Sequence, residues 1–170
     1  MVVLKSANSP CEIQMKTIEA SLVYLFRDDH VLMLHRVKKK GDIHKNKWNG
    51  LGGKLENSES PEESAVREIK EESGYDLHSL KFAGHLFFPT FDNDGNNWSV
   101  FVFTSEDFSG LQLENTSEGI LKWIPKTELL ELNLWEGDRY FLPKLLSGEK
   151  FLGKFNYVDG RLVEYTLTDA

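Results

Sequence analysis

Apolar residues come in short runs along most of the chain, and the runs read as strands more often than helices. "TIEASLVYLF" (17–26) and "HVLMLHRV" (30–37) are dense in β-formers and flank the polar "RDD", which predicts a hairpin. A basic loop (38–50) and a short glycine-rich stretch, "LGGKL" (51–55), follow. Strand-like runs return at 80–91 and 98–106 around the turn "DNDGNN", and again at 120–124 after an acidic loop (107–119). "KFLGKFNYV" and "RLVEYTLT" flank Asp159-Gly160, a second hairpin signal. Three segments read as helices: 61–73, 125–132 and 138–148, the last weakened by Pro143. Strands mixed with a few helices predict an α+β or layered α/β domain.

The helix at 61–73 has the clearest boundaries. Ser60 reads as its N-cap with Glu63 completing a capping box, Pro61 takes the first helical position, and Gly74 ends it in a left-handed cap. Ala65, Val66 and Ile69 form its apolar stripe. Glu68, Glu71 and Glu72 fall within an arc of about 100° directly beside that stripe. Carboxylates this close repel one another, and the helix dipole disfavours them near a C-terminus. Two readings follow: a solvated acidic face, or oxygen ligands for a hard cation such as Mg²⁺.

Composition narrows the function classes. The chain has 170 residues, enough for one domain with a full core, and a net charge of −7. That balance speaks against a general nucleic-acid or membrane binder. Cys11 is the one cysteine, so no internal disulfide forms, which suits a reducing cytoplasm. No apolar run reaches the roughly 20 residues of a membrane span. Residues 1–16 lack a signal-peptide core and read as an extension to a domain at 17–170.

The helix gains a meaning from what precedes it. Gly53, five residues, Glu59, seven residues, Arg67-Glu68-Ile69, one residue, Glu71-Glu72, one residue, Gly74-Tyr75: this spacing resembles the Nudix box of the Nudix hydrolase superfamily. Every fixed glycine and polar position matches; Tyr75 stands where an aliphatic residue is usual. With "KWNGLGGKL", "KWIP", "LWEGDRYFLPKLL" and the final hairpin, residues 18–168 resemble the MutT-like branch, the oxidised-purine nucleoside triphosphatases and 8-oxo-dGTP diphosphatases.

The resemblance implies an α/β/α sandwich around a mixed sheet. It implies catalytic Mg²⁺, with Mn²⁺ as a substitute, surrounded by Glu68, Glu71, Glu72 and the Gly52 carbonyl. Arg67 would orient a neighbouring carboxylate, and Glu71 or Glu72 would serve as general base. Glu118 matches a further metal ligand, and Arg36 and Lys54 match phosphate contacts. Asn49, Trp135 and Asp138 match the base pocket. Each also has an ordinary reading: loop glutamate, surface cations, a turn at Asn49-Gly50, an N-cap at Asp138. "LWEGD" departs from the family pattern, because Gly137 replaces one of two paired aspartates.

The implied activity is Mg²⁺-dependent cleavage of an oxidised purine deoxynucleoside triphosphate, such as 8-oxo-dGTP, to monophosphate and pyrophosphate, cleaning the nucleotide pool in the cytoplasm. The expected partner is a small nucleotide, with no membrane or stable nucleic-acid association, in a monomer or homodimer. Alternatives are a Nudix hydrolase of a nucleoside diphosphate sugar, ADP-ribose, dinucleoside polyphosphate or capped RNA, a silent binding module, or an isoprenoid diphosphate isomerase. His30, His35, His44, His78 and His85 lack metal-ligand spacing and read as core, turn or surface residues. Phe87, Phe88, Phe101 and Phe103 read as sheet packing. "VKKK" (37–40) is a solvated loop or a guide for an anionic nucleotide.

Overall fold

The computed structural model describes residues 15–170, so Cys11 and nearly all of the expected 1–16 extension lie outside the described residues. Its organising element is β1 (Thr17–Arg27). Alternate residues of β1 serve opposite faces of the sheet: Ala20, Tyr24 and Phe26 pack into one apolar cluster, Val23 and Leu25 into another. Strand β2 (His30–His35) divides in the same way, with Val31 and Met33 on one side and Leu32 and Leu34 on the other. A sheet buried on both faces needs a cover on each.

Helix α1 (Pro61–Ser73) lies against β1 and β4 (Leu51–Lys54), where Ala65 and Ile69 join the second cluster. Helix α2 (Asp138–Ser147) covers the other face with Phe141, Leu142 and Leu145 in the first cluster. The result is the expected α/β/α sandwich around a mixed sheet.

The remaining strands are β3 (Trp48–Asn49), β5 (Asp76–Leu77), β6 (Lys81–Phe88), β7 (Asn97–Ser105), β8 (Phe108–Ser109), β9 (Ile120–Pro125), β10 (Phe151–Val158) and β11 (Arg161–Asp169). The main sheet runs β11-β10-β6-β7-β1-β2-β3, with β4 on β1 and β9 on β2. Strand β1 pairs in parallel with β7 along its length. On its other edge, Ala20–Val23 pair with β4, while Phe26 and Arg27 pair with β2.

Several expectations needed correction. The 17–37 hairpin is confined to two residue pairs, because β4 takes the middle of β1. Residues 125–132 form a 3-10 helix over Lys126–Glu131 rather than an α-helix. Residues Phe108–Ser109, expected in a loop, pair with Asp76–Leu77. Val66 is 46% exposed, and the buried face of α1 takes Ser64, Glu72 and Ser73 instead. Ser64 makes that face compatible with the sheet through an Oγ–Oγ hydrogen bond of 3.0 Å to Ser21. Helix α2 keeps Pro143 in its interior, since burial of its apolar face outweighs the one backbone bond that proline removes.

Candidate active site

The glycine pair of β4 packs closely on two neighbours, Gly52 on the backbone of β1 and Gly53 on Glu68 of α1. Gly52 has φ of 149°, and a Cβ there would meet the Ser21 carbonyl oxygen at 2.0 Å. A Cβ on Gly53 would lie 2.4 Å from Glu68 Oε1. A side chain at Gly52 would strike the backbone of β1, while one at Gly53 would push the Glu68 carboxylate out of place. The close approach lets the Gly52 N–H donate to Glu72 Oε2 at 3.0 Å. Glu72 thus sits in the middle of the packed face of α1, not on a solvated one.

The carboxylates differ in their surroundings. Glu68 is half-buried, and desolvation raises its pKa although Arg67 opposes the shift. Glu72 is pushed well up by burial and then by repulsion from Glu118. Glu71 is the exposed member, at the rim of the site and 3.3 Å from Arg67.

Arg67 acts as the clamp between helix and loop. Its Nε donates to Glu59 Oε1 at 2.6 Å, its Nη1 to Glu68 at 2.9 Å, and its Nη2 to the Lys54 carbonyl at 3.2 Å. Held this way, Glu59 keeps its pKa lowered to about 2 and stays ionised.

Arg36 donates from Nε to Asp42 Oδ2 at 2.6 Å and from Nη1 to Glu118 Oε2 at 3.0 Å. Lys54 carries its ammonium 5.4 Å from the centre of the Trp98 ring. Trp98 is itself fixed by donating to Asp92 at 2.9 Å.

A cavity of about 610 Å³ opens onto this region. Glu68, Glu118, Gly52, Arg36 and Lys54 line it together with Asn49, Trp135 and Asp138. Eight of the residues singled out in the sequence therefore share one cavity, while Glu71, Glu72 and Arg67 stand behind or beside it. Asn49 belongs to strand β3, not to a turn. Asp138 is the first residue of α2, but Gly137 occupies the N-cap and no side chain caps the helix. The Asp138 carboxyl is buried, and desolvation raises its pKa to about 7, against the opposing pull of Lys47 and Arg139.

The family model for the NUDIX domain matches residues 15–145. The chain belongs to the Nudix hydrolases. A mouse oxidized purine nucleoside triphosphate hydrolase is 31% identical over 151 residues, covering 88% of this chain and 94% of the relative. Its zebrafish counterpart is 30% identical over 137 residues, covering 81% and 85%. The crystal structure of a MutT protein from Bacillus halodurans, 30% identical, superposes with a TM-score of 0.78 over 88% of this chain and 97% of that one.

Nudix hydrolases act on small nucleotide substrates and generally use divalent cations. Among the described residues, no three His, Cys, Asp or Glu side chains close on a single point as an all-protein metal cage. The donor set fits a hard cation that shares its coordination with water and substrate phosphate, and the repulsion between Glu72 and Glu118 is what such a cation relieves. Among the described residues, no helix is long and apolar enough to cross a membrane.

Sequence reasoning missed part of the cavity. Phe88, read as sheet packing, lines it with Phe91 and Tyr157. His44, read as a structural histidine, accepts the Trp135 indole N–H on Nδ1 at 2.8 Å. Burial, followed by nearby Arg36, lowers the His44 pKa to about 4, so the ring is neutral at pH 7. Asp42 ties the two halves of the site together: one oxygen accepts from Arg36 and the other from the His44 backbone N–H. The only sequence signal was spacing, with Asp42 two residues before His44 in a loop leading to "KWNG". By contrast, His35, His78 and His85 bond to the side chains of Asn46, Ser109 and Ser99, as structural histidines do.

Proposed function

We propose that this Nudix hydrolase is a Mg²⁺-dependent pyrophosphohydrolase of purine deoxynucleoside triphosphates, with an oxidised purine such as 8-oxo-dGTP as its substrate and residues 17–170 as its catalytic unit. The observation that carries this reading is a single cavity shared by phosphate-type and base-type groups. Arg36, Lys54, Glu68 and Glu118 line it alongside Asn49, Trp135 and the buried Asp138. The activity named for the mouse and zebrafish relatives supports the same substrate class.

Glu68, Glu72 and Glu118 would hold the cation, with the exposed Glu71 at its edge. The chemistry that Mg²⁺ supplies when bound is neutralisation of phosphate oxygens and acidification of water. The chain's own residues do the rest. Arg36 and Lys54 bind phosphate oxygens, and Arg67 keeps Glu68 oriented. Glu71 or Glu72 takes the proton of the attacking water. Trp135 offers an aromatic wall, while Asn49 and Asp138 offer polar atoms to the base edge.

A hydrolysis panel with Mg²⁺, with Mn²⁺ and with EDTA tests the reading. The panel holds 8-oxo-dGTP, 2-hydroxy-dATP, dGTP, ADP-ribose, a nucleoside diphosphate sugar and a dinucleoside polyphosphate. Oxidised purine triphosphates should give the highest kcat/KM, with pyrophosphate as product and no turnover in EDTA. Preference for a diphosphate-linked substrate would overturn it.

A further inference from the structure

Gly137 is more than a missing side chain. A Cβ built there would meet the Tyr157 hydroxyl oxygen at 2.7 Å and Phe155 Cδ1 at 2.7 Å. The Gly137 N–H donates to that same hydroxyl at 2.7 Å. The space beside Asp138 is therefore occupied by a phenol on strand β10, and the backbone of α2 is bonded to it. Tyr157 is 7% exposed, lines the cavity with Asp138, and packs edge-on against Trp135 with ring centres 5.2 Å apart.

The hydrogen-bond inventory then becomes specific. A phenol oxygen that accepts a backbone N–H still has its own proton to donate. Among the described residues, no hydrogen bond within the protein takes the Tyr157 proton or ends on an Asp138 oxygen, and no fully buried side-chain atom is left without a partner, so the Asp138 oxygens open onto the cavity. Burial and the nearby Asp138 raise the Tyr157 pKa, so the phenol stays neutral and remains a donor. The cavity thus presents a fixed donor next to a carboxyl with two free oxygens. A base edge that satisfies both has one acceptor beside two donors. The 6-oxo-2-aminopurine edge has this order, with O6 followed by N1–H and the 2-amino group. A 6-aminopurine edge offers one donor group beside a ring nitrogen acceptor and leaves a buried polar group unpaired.

We propose that Tyr157 is a specificity-determining residue that donates its hydroxyl proton to O6 of a 6-oxo-2-aminopurine while Asp138 accepts from N1–H and the 2-amino group. This rests on the reading that the cavity holds a purine base.

The test compares deoxyguanosine-type and 2-aminopurine deoxynucleoside triphosphates, which differ at O6 and the adjoining N1 proton, in wild type and in Tyr157→Phe. Wild type should show KM about tenfold higher for the 2-aminopurine nucleotide, with kcat little changed. Tyr157→Phe should raise KM for the guanine nucleotide more than for the 2-aminopurine nucleotide and shrink the difference to the part carried by N1–H and Asp138. A role limited to holding Gly137 would raise both KM values equally, and that result overturns the proposal. Wild type with equal KM for the two nucleotides also overturns it, even if the variant does not fold. Asp138→Asn separates the failures. If it changes base preference while Tyr157→Phe does not, only this inference falls. If neither does, the base-pocket reading falls with it.

Discussion

The two halves of the cavity are built by different rules. The carboxylate half comes mostly from one continuous stretch, Gly52 to Gly74, in which a glycine pair, a clamped loop and a capped helix follow one another in sequence, with Glu118 and Arg36 added from outside it. Its residues are placed by local geometry: Gly53 leaves room for Glu68 of the helix, and Arg67 closes the loop on the helix with five oxygen partners. The base-facing half is assembled from distant pieces, with Asn49 on β3, Phe88 on β6, Trp135 and Asp138 around the start of α2, and Tyr157 on β10. A unit placed by its own sequence can keep its chemistry while the rest of the chain changes. A pocket assembled from separate elements can change its ligand one contact at a time. The halves should therefore fail differently when mutated.

The largest effects should come from the carboxylate half. Glu68→Gln and Glu72→Gln should each lower kcat by about a hundredfold or more, measured by steady-state hydrolysis at saturating Mg²⁺. Stability should move the other way. Burial and mutual repulsion disfavour the ionised carboxylates at both positions, so the neutral amides should leave the metal-free protein as stable as wild type or more so in a thermal melt. A variant that loses activity and stability together would mean that these glutamates support the fold rather than a cation.

The base-facing half should respond in KM and in pH dependence. Asp138 has a folded pKa of about 7, above the roughly 3.9 of an unfolded aspartate. The folded state binds that proton more tightly. Its contribution to stability is fully present below about pH 4, is lost as pH rises toward 7, and is constant above that. Asp138→Asn should remove this slope from the difference between the two stability profiles. It should also remove an inflection near pH 7 in the KM of a purine substrate and raise KM about tenfold above that pH. An unchanged inflection would assign it to another group.

The contrast also explains what was legible in the chain. The box was readable because its chemistry depends on spacing within one helix and one loop, and helical geometry turns spacing into direction. Even there Val66 was misjudged, because an apolar residue at the edge of a stripe gives no sign of which side the sheet will cover. Glu72 belonged to a legible acidic cluster, but its burial was not legible, because it depends on a bond from the Gly52 N–H twenty residues earlier in the chain. Trp135 and Asp138 were recognisable only through resemblance, and the resemblance broke at Gly137. The reason lies twenty residues away in Tyr157, a contact between α2 and β10 that no local pattern encodes. His44 was invisible for the same reason, since its partner is 91 residues further along.

Gly137→Ala probes the seam between α2 and β10. The added methyl must displace Tyr157 or Phe155, both of them packed, and should cost about 1–3 kcal/mol in denaturant unfolding. The KM for a purine nucleotide should rise while kcat at saturation stays near wild type, since the carboxylate half is built without this contact. An equal loss in kcat would show that the halves are not independent.

The smallest effect should come from a chain of side-chain contacts that joins them. Asp42 accepts from Arg36 on the phosphate side and from the His44 backbone on the base side, and His44 in turn holds Trp135. His44→Phe keeps a ring of similar shape but removes the acceptor, leaving the Trp135 indole N–H without its partner. One neutral hydrogen bond at a partly solvated site is worth about 1 kcal/mol, so KM should rise by about fivefold with kcat unchanged. His44→Asn retains an acceptor at the Nδ1 position and should recover most of the loss. The indole N–H resonance of Trp135, assigned by its disappearance in Trp135→Phe, should move upfield in His44→Phe and return toward its wild-type position in His44→Asn. The same resonance should also move in Asp42→Asn, which leaves the imidazole itself intact. If it does not, Asp42 holds only Arg36, and the two halves of the cavity are joined by the sheet alone.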